Sequence, residues 1–200
     1  MRNIYTILFS LLIGFTTIAQ NEDYPKGYIH TKNNYHLTGS IGKVDHSATG
    51  SMVLFVNDFG TPYYLHPALI KGFVFYEGPA VLAYESKLWK DRWMFLSVQY
   101  VGKNIRLLQT PKKLTEFSLS ADHQGQKKGK LNEYWLELPG QGILPMKKWG
   151  FRWKMKNLIK ETSPTLASKI GKKGYRFKNL YSILDAYDRE WSKKKGKWNL

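Results

Sequence analysis

The chain has no cysteine, which removes a disulfide framework, a thiolate nucleophile, a Cys-based zinc site and a cysteine for lipid attachment. Its fold must rest on core packing alone. Acidic residues are also scarce, with 15 Asp and Glu against 31 Lys and Arg and a formal net charge of +16. Beyond its N-terminus no segment approaches the ~20 consecutive apolar residues that a spanning helix needs. Catalytic signatures are missing as well. Of the five histidines, His30, His36, His46, His66 and His123, no two stand at the i, i+4 spacing of a helical zinc pair or within H-E-x-x-H. There is no G-x-S-x-G, and Gly39-Ser40-Ile41-Gly42-Lys43-Val44 is too short to be a phosphate-binding loop and has no Ser or Thr after its lysine. Asp45, His46 and Ser47 are neighbours on a loop, an arrangement that does not orient a triad. Glu133 and Glu137 on a strand would lie about 13 Å apart at ~3.3 Å per residue, wider than a glycosidase pair. No catalytic residue, metal ligand or cofactor is indicated, so an enzyme ranks below a binding protein.

What is present begins with Arg2, an apolar stretch from Ile4 to Phe15, and Thr17 and Ala19 at the −3 and −1 positions of a cut before Gln20. Residues 1–19 read as a secretory signal peptide. The apolar stretch is too short and too interrupted by Thr6, Ser10, Thr16 and Thr17 to serve as a membrane anchor. The expected location is the periplasm or the outside of the cell.

From Lys26 to Gln109 the pattern is one of short strands separated by turn chemistry. Lys32-Asn33-Asn34 predicts one hairpin, Asn57-Asp58-Phe59-Gly60 a second and Glu77-Gly78 a third, because Asn and Gly accept the conformations that tight turns require. Pro62 suits the first residue of an edge strand. From Trp93 to Val101 the residues Met94, Leu96, Val98 and Tyr100 alternate as one apolar face, and Gly102-Lys103-Asn104 turns the chain into Ile105 to Thr110. Residues 111–132 read as a long loop, and Tyr134 to Leu138 and Gly142 to Met146 as the last strands.

The remainder is helical. Lys147 to Lys160 fits a strand with an aromatic and a cationic face, or a helix with Phe151, Met155, Leu158 and Ile159 buried; the last two residues fit only the helical period. Ser163-Pro164 is a cap and first-turn pair. Leu180, Ile183, Leu184, Tyr187 and Trp191 share a face, with Asp185, Asp188, Arg189 and Glu190 expected outward. Residues 192–200 read as a frayed basic tail. These elements predict one α+β domain over residues 20–191, a curved antiparallel sheet or incomplete β-barrel over 20–146 followed by two or three C-terminal helices over 147–191.

Gly27-Tyr28-Ile29 through Gly39-Ser40-Ile41, Ile70-Lys71-Gly72-Phe73, Val101-Gly102-Lys103 and Pro164-Thr165-Leu166 together resemble uncharacterised secreted proteins of Bacteroidetes-type bacteria. The resemblance implies export and a β-rich domain closed by helices. It carries no activity, cofactor or site. Members of that group often have cysteine before the helical proline, where this chain has Ser163.

The charge is uneven. Residues 126–200 hold 19 Lys and Arg against 6 Asp and Glu, while residues 1–125 hold 12 against 9. Such asymmetry raises the local concentration of polyanions in a salt-dependent way. The expected function is therefore a non-catalytic envelope module whose basic C-terminal region meets an anionic polymer or surface, such as lipopolysaccharide phosphates or acidic polysaccharide. Lys154, Lys156, Lys172 and Lys173 are the candidate contacts, with Trp153 a stacking partner. A protein–protein module is the alternative, and export disfavours a nucleic acid.

Overall fold

A computed structural model describes residues 24–46, 51–110, 134–138 and 140–197. The expected signal peptide and the expected loop over 111–132 lie outside the described residues.

Ten strands form one antiparallel sheet. In chain order they are β1 Lys26–Thr31, β2 His36–His46, β3 Ser51–Asn57, β4 Pro62–Leu65, β5 Ile70–Glu77, β6 Ala80–Trp89, β7 Arg92–Val101, β8 Arg106–Gln109, β9 Tyr134–Leu138 and β10 Gly142–Met146. Their spatial order is β10-β9-β8-β7-β6-β5-β1-β2-β3-β4. Almost every neighbour is thus reached by a hairpin, and the one insertion places β5 beside β1. The predicted turns are where the strands reverse, with Asn34 at φ 66°, Gly60 at 81° and Gly78 at 55°. Pro62 opens β4 on the sheet edge, where its missing N–H breaks no ladder.

The sheet is curved and open. Its N-terminal half coils until β3 touches β7, enclosing Ile29, Ile41, Phe55, Phe73, Phe75 and Phe95. Phe73 stacks on Tyr84 at 4.8 Å between centroids and meets the edge of Phe95 at 5.0 Å. Two directly paired glycines make this coiling possible. Gly27 faces Gly39 across β1 and β2; a Cβ on Gly27 would sit 2.2 Å from the Val74 carbonyl oxygen, and one on Gly39 would sit 2.3 Å from the Val56 carbonyl oxygen and 2.7 Å from the Phe55 ring. The room their side chains would have used is taken by the close approach of the neighbouring strands' backbone and by Phe55 and Phe75.

The C-terminal half of the sheet is covered by helices α1 Phe151–Ile159, α2 Pro164–Lys169 and α3 Leu180–Lys197, with a 3-10 turn, η1 Phe177–Asn179, leading into α3. Leu107, Leu136 and Met146 from the strands pack with Met155, Ile183 and Leu184 from the helices, all six with no exposed surface. The α+β expectation is what the chain adopts.

Four local expectations are corrected. β6 continues through Glu85–Trp89, a charged stretch not read as strand. A bulge between Val98 and Tyr100 reverses the facing of β7, so Met94, Leu96 and Val98 pack with Leu108 and Trp135 while Tyr100 turns to the helix-covered core. The backbone of α3 stays helical through Lys197, so a frayed tail from residue 192 is not what forms. Finally, Asp188 points inward and is 9% exposed. Its carboxylate accepts the backbone N–H groups of Lys103 and Asn104, each at 2.8 Å, the Asn104 amide at 3.3 Å and the Tyr100 hydroxyl at 3.3 Å. Those donors belong to the β7–β8 turn and, for Tyr100, to the end of β7, so Asp188 fastens α3 to the sheet.

Candidate functional site

The chain leaves β10 through Gly150, whose φ of 79° is open to glycine without steric cost, and enters α1. Phe151, Met155 and Ile159 bury one stripe of this helix. At 100° per residue, Lys154 and Lys156 then fall on opposite flanks, about 160° apart. The Lys154 ammonium donates to the Pro145 carbonyl at 3.2 Å, over β10. Lys156 shares its flank with Arg152, one turn earlier. Arg152 lies along the loop after α2, where a Cβ on Gly171 would come within 2.8 Å of its Cδ. Lys172 and Lys173 follow directly and are exposed. The fold therefore brings Arg152, with Lys156 on the same flank, to the loop that carries Lys172 and Lys173, and leaves Lys154 on the other flank.

The loop itself is ordered by short-range bonds. Gly171 N–H donates to the Tyr175 carbonyl at 2.8 Å and Tyr175 N–H to the Lys172 carbonyl at 3.0 Å, while the Lys169 ammonium sits 5.7 Å above the Tyr175 ring. Trp153, one of the expected contacts, is 68% exposed, and Trp149 is 90% exposed. Both point away from the stripe buried by α1. Arg152 and Trp149 are not among the contacts expected from the sequence. The signal for Arg152 is its i, i+4 relation to Lys156; Trp149 precedes α1 and has no such helical relation to Trp153.

Residues 147–178 hold eleven Lys and Arg and a single carboxylate, Glu161. Among the described residues none of these eleven forms an ion pair, whereas on the sheet Lys43 pairs with Asp45, and Glu85, Lys87, Arg106 and Glu137 pair with one another. Unneutralised cations concentrated on one helical layer generate a positive potential that anions follow.

The sheet holds the contrasting arrangement. Glu85, Lys87, Arg106 and Glu137, from β6, β8 and β9, form a closed four-membered cluster, with Lys87 3.0 Å from Glu85 and Arg106 2.8 Å from Glu137; Arg106 also binds Glu85 and Lys87 also binds Glu137. Burial pushes the Glu85 carboxyl up, but hydrogen bonds from Arg106 and Lys87 and their charges outweigh it and hold the group below the usual carboxylate range. The bond to Glu85 in turn raises Arg106. A self-compensated cluster of this kind has its charges engaged with one another and offers no free acid or base to a substrate.

His30 and His36 are register partners across β1 and β2, with ring centroids 5.0 Å apart, and Tyr28 stacks on His36 at 4.6 Å. His66 accepts the Ala68 N–H through Nδ1 at 3.2 Å, Asp45 pairs with Lys43 at 3.2 Å, and His123 and Glu133 lie outside the described residues. Among the described residues no three His, Asp or Glu side chains gather in a metal-binding group, and no helix is long and apolar enough to cross a membrane.

No relative was found. No protein-family model, no curated protein and no solved structure matches this chain. Any functional reading therefore rests on the arrangement of its own side chains.

Proposed function

We propose that this protein is an exported, non-catalytic binding module of the cell envelope whose C-terminal helical layer engages an anionic polymer or surface such as phosphorylated lipopolysaccharide or acidic polysaccharide. The observation that carries the reading is the set of eleven cations over residues 147–178 with one carboxylate among them and no ion pair in the described residues. Arg152, Lys156, Lys172 and Lys173 form the centre of the contact. Trp149 and Trp153 offer exposed aromatic faces beside it for stacking on sugar rings. Lys154, bonded to Pro145 on the other flank, has a smaller part.

The test is binding of the secreted chain, its N-terminus read by mass spectrometry, to immobilised heparin and to lipopolysaccharide over a salt series. The logarithm of the affinity is expected to fall linearly with the logarithm of salt concentration. Changing Arg152, Lys156, Lys172 and Lys173 to Gln lowers that slope by about one for each lost contact, and Lys154→Gln lowers it least. Binding that ignores salt, or that is equal in wild type and the fourfold variant, refutes the reading. It would move attention to a protein partner, for which the exposed cross-strand pair Tyr76 and Val81 on the sheet is the first surface to change.

A further inference from the structure

The opposite edge of the sheet carries a second feature. Between β1, β2, β3 and the edge strand β4, where no further strand closes the coil, lies a cavity of about 440 Å³, within the ~300–1,000 Å³ typical of small-molecule sites. Its floor is Ile29, Phe55 and Ile70, which are 1%, 3% and 5% exposed. Leu37, Phe59 and Tyr63 stand at the mouth, 50%, 94% and 45% exposed.

We infer that this mouth is a binding site for a small, mainly apolar molecule with a hydrogen-bond-donating head, best an ammonium. The apolar part of the ligand is called for by the floor and the three mouth side chains. The head is called for by Asp58, the single carboxylate among the lining residues. Thr38 donates its hydroxyl to Asp58 Oδ2 at 2.5 Å, which holds the carboxylate at the rim while Oδ1 has no protein partner among the described residues. The turn that presents Asp58 and Phe59 is braced by Asn57, whose side-chain oxygen accepts the N–H groups of Phe59 at 3.0 Å and Thr61 at 2.8 Å. A nearly fully exposed phenylalanine on a braced turn, beside a cavity, is preorganised to cover a ligand. The same volume is too small for a polymer, and the carboxylate opposes an anionic head. The site is therefore distinct in position and in ligand charge from the cationic layer near β10.

The probe is N-phenyl-1-naphthylamine, neutral and fluorescent in apolar surroundings, titrated into the full chain. Every variant is made in the same background, so binding to residues 4–18 is common to all arms. One saturable component is expected to weaken by about tenfold or more in Leu37→Trp, which fills the mouth and leaves about two methylene equivalents of ligand in water, and to weaken in Tyr63→Ala, which removes a wall. The paired change Trp149→Ala with Trp153→Ala leaves it unaltered. Decylamine is expected to displace the probe about two- to fivefold more effectively than decanoate, the worth of one rim charge pair, and Asp58→Asn brings that ratio to about one. The inference fails if both folded mouth variants, checked by circular dichroism, bind as wild type does. It also fails if the paired Trp149→Ala and Trp153→Ala change removes the saturable component, or if decanoate is the better competitor.

Discussion

Removing the Asp188 carboxylate is the most revealing single change, because one side chain there satisfies two backbone donors of a distant turn. In Asp188→Ala the Asn104 N–H stays buried and loses its acceptor, a penalty of about 1–3 kcal/mol, and the charge-assisted character of the bonds is lost as well. The Lys103 N–H, on an exposed residue, regains water. A net loss of about 2–4 kcal/mol follows, which lowers the melting temperature by about 5–15 °C for a domain of this size. Urea denaturation with far-UV circular dichroism measures it, and hydrogen exchange at Lys103 and Asn104 localises it. The second arm uses Gly102. A Cβ there would come 1.7 Å from Asp188 Oδ2 and 2.7 Å from its Cγ, so Gly102→Ala expels the carboxylate and costs as much as removing it. In the Asp188→Ala background that clash is gone, while the Ile105 carbonyl, at 2.8 Å, remains close. The two changes should therefore fall short of additivity by about 1 kcal/mol or more. A loss under 1 kcal/mol in Asp188→Ala, or strict additivity with Gly102→Ala, would refute the role of Asp188 as the fastening between α3 and the sheet.

Other outcomes follow from the same geometry. Ser163 precedes α2, is fully buried and makes no side-chain hydrogen bond, so Ser163→Ala should stabilise by about 1 kcal/mol in urea, opposite in sign to the usual loss of a cap. Gly39→Ala puts a methyl 2.3 Å from the Val56 carbonyl oxygen and 2.7 Å from the Phe55 ring, so β3 must shift, and should cost about 1–3 kcal/mol by the same assay. Glu85 titrates below its ordinary range when folded, so its contribution is complete above the unfolded carboxyl value and disappears as pH falls through the lower folded one; Glu85→Gln removes that acid dependence from a pH series of urea midpoints. Burial, and then the Glu77 carboxylate, push the Tyr84 hydroxyl up to about 12. Its contribution is present below pH ~10 and is lost as pH rises through 12, so Tyr84→Phe should flatten the alkaline limb.

The hairpins could be read because each is local: Asn34, Gly60 and Gly78 announce backbone conformations that few other residues accept, whatever lies elsewhere in the chain. The parts that could not be read depend on residues far away in sequence. Glu85 and Lys87 look like surface loop residues until Arg106 and Glu137 are placed beside them by the β8–β9 pairing. Asp188 is polar and next to the helix's buried stripe, so periodicity turns it outward. Only the N–H groups of a turn 84 residues earlier in the case of Asn104 make an inward carboxylate favourable. The bulge near Gln99 is invisible for a related reason, since alternation cannot report an extra residue that changes which face Tyr100 joins.

The basic surface shows how far charge counting reaches and where it stops. The excess of cations after residue 126 is a property of composition and needs no fold. Which cations act together does need one. Had residues 151–159 been a strand, Arg152, Lys154 and Lys156 would have shared a face, and all three would belong to one contact. The helical period separates Lys154 from Lys156 by about 160° and gives Lys154 to the Pro145 carbonyl, while the approach of Arg152 to Gly171 supplies Lys156 with neighbours from another element. Mutating the four lysines named by sequence alone would therefore mix one residue from the far flank with three from the near one and omit Arg152. The set Arg152, Lys156, Lys172 and Lys173 tests a single surface. A larger salt-slope change for that set than for one in which Lys154 replaces Arg152 would separate a contact organised by the fold from a response to total charge.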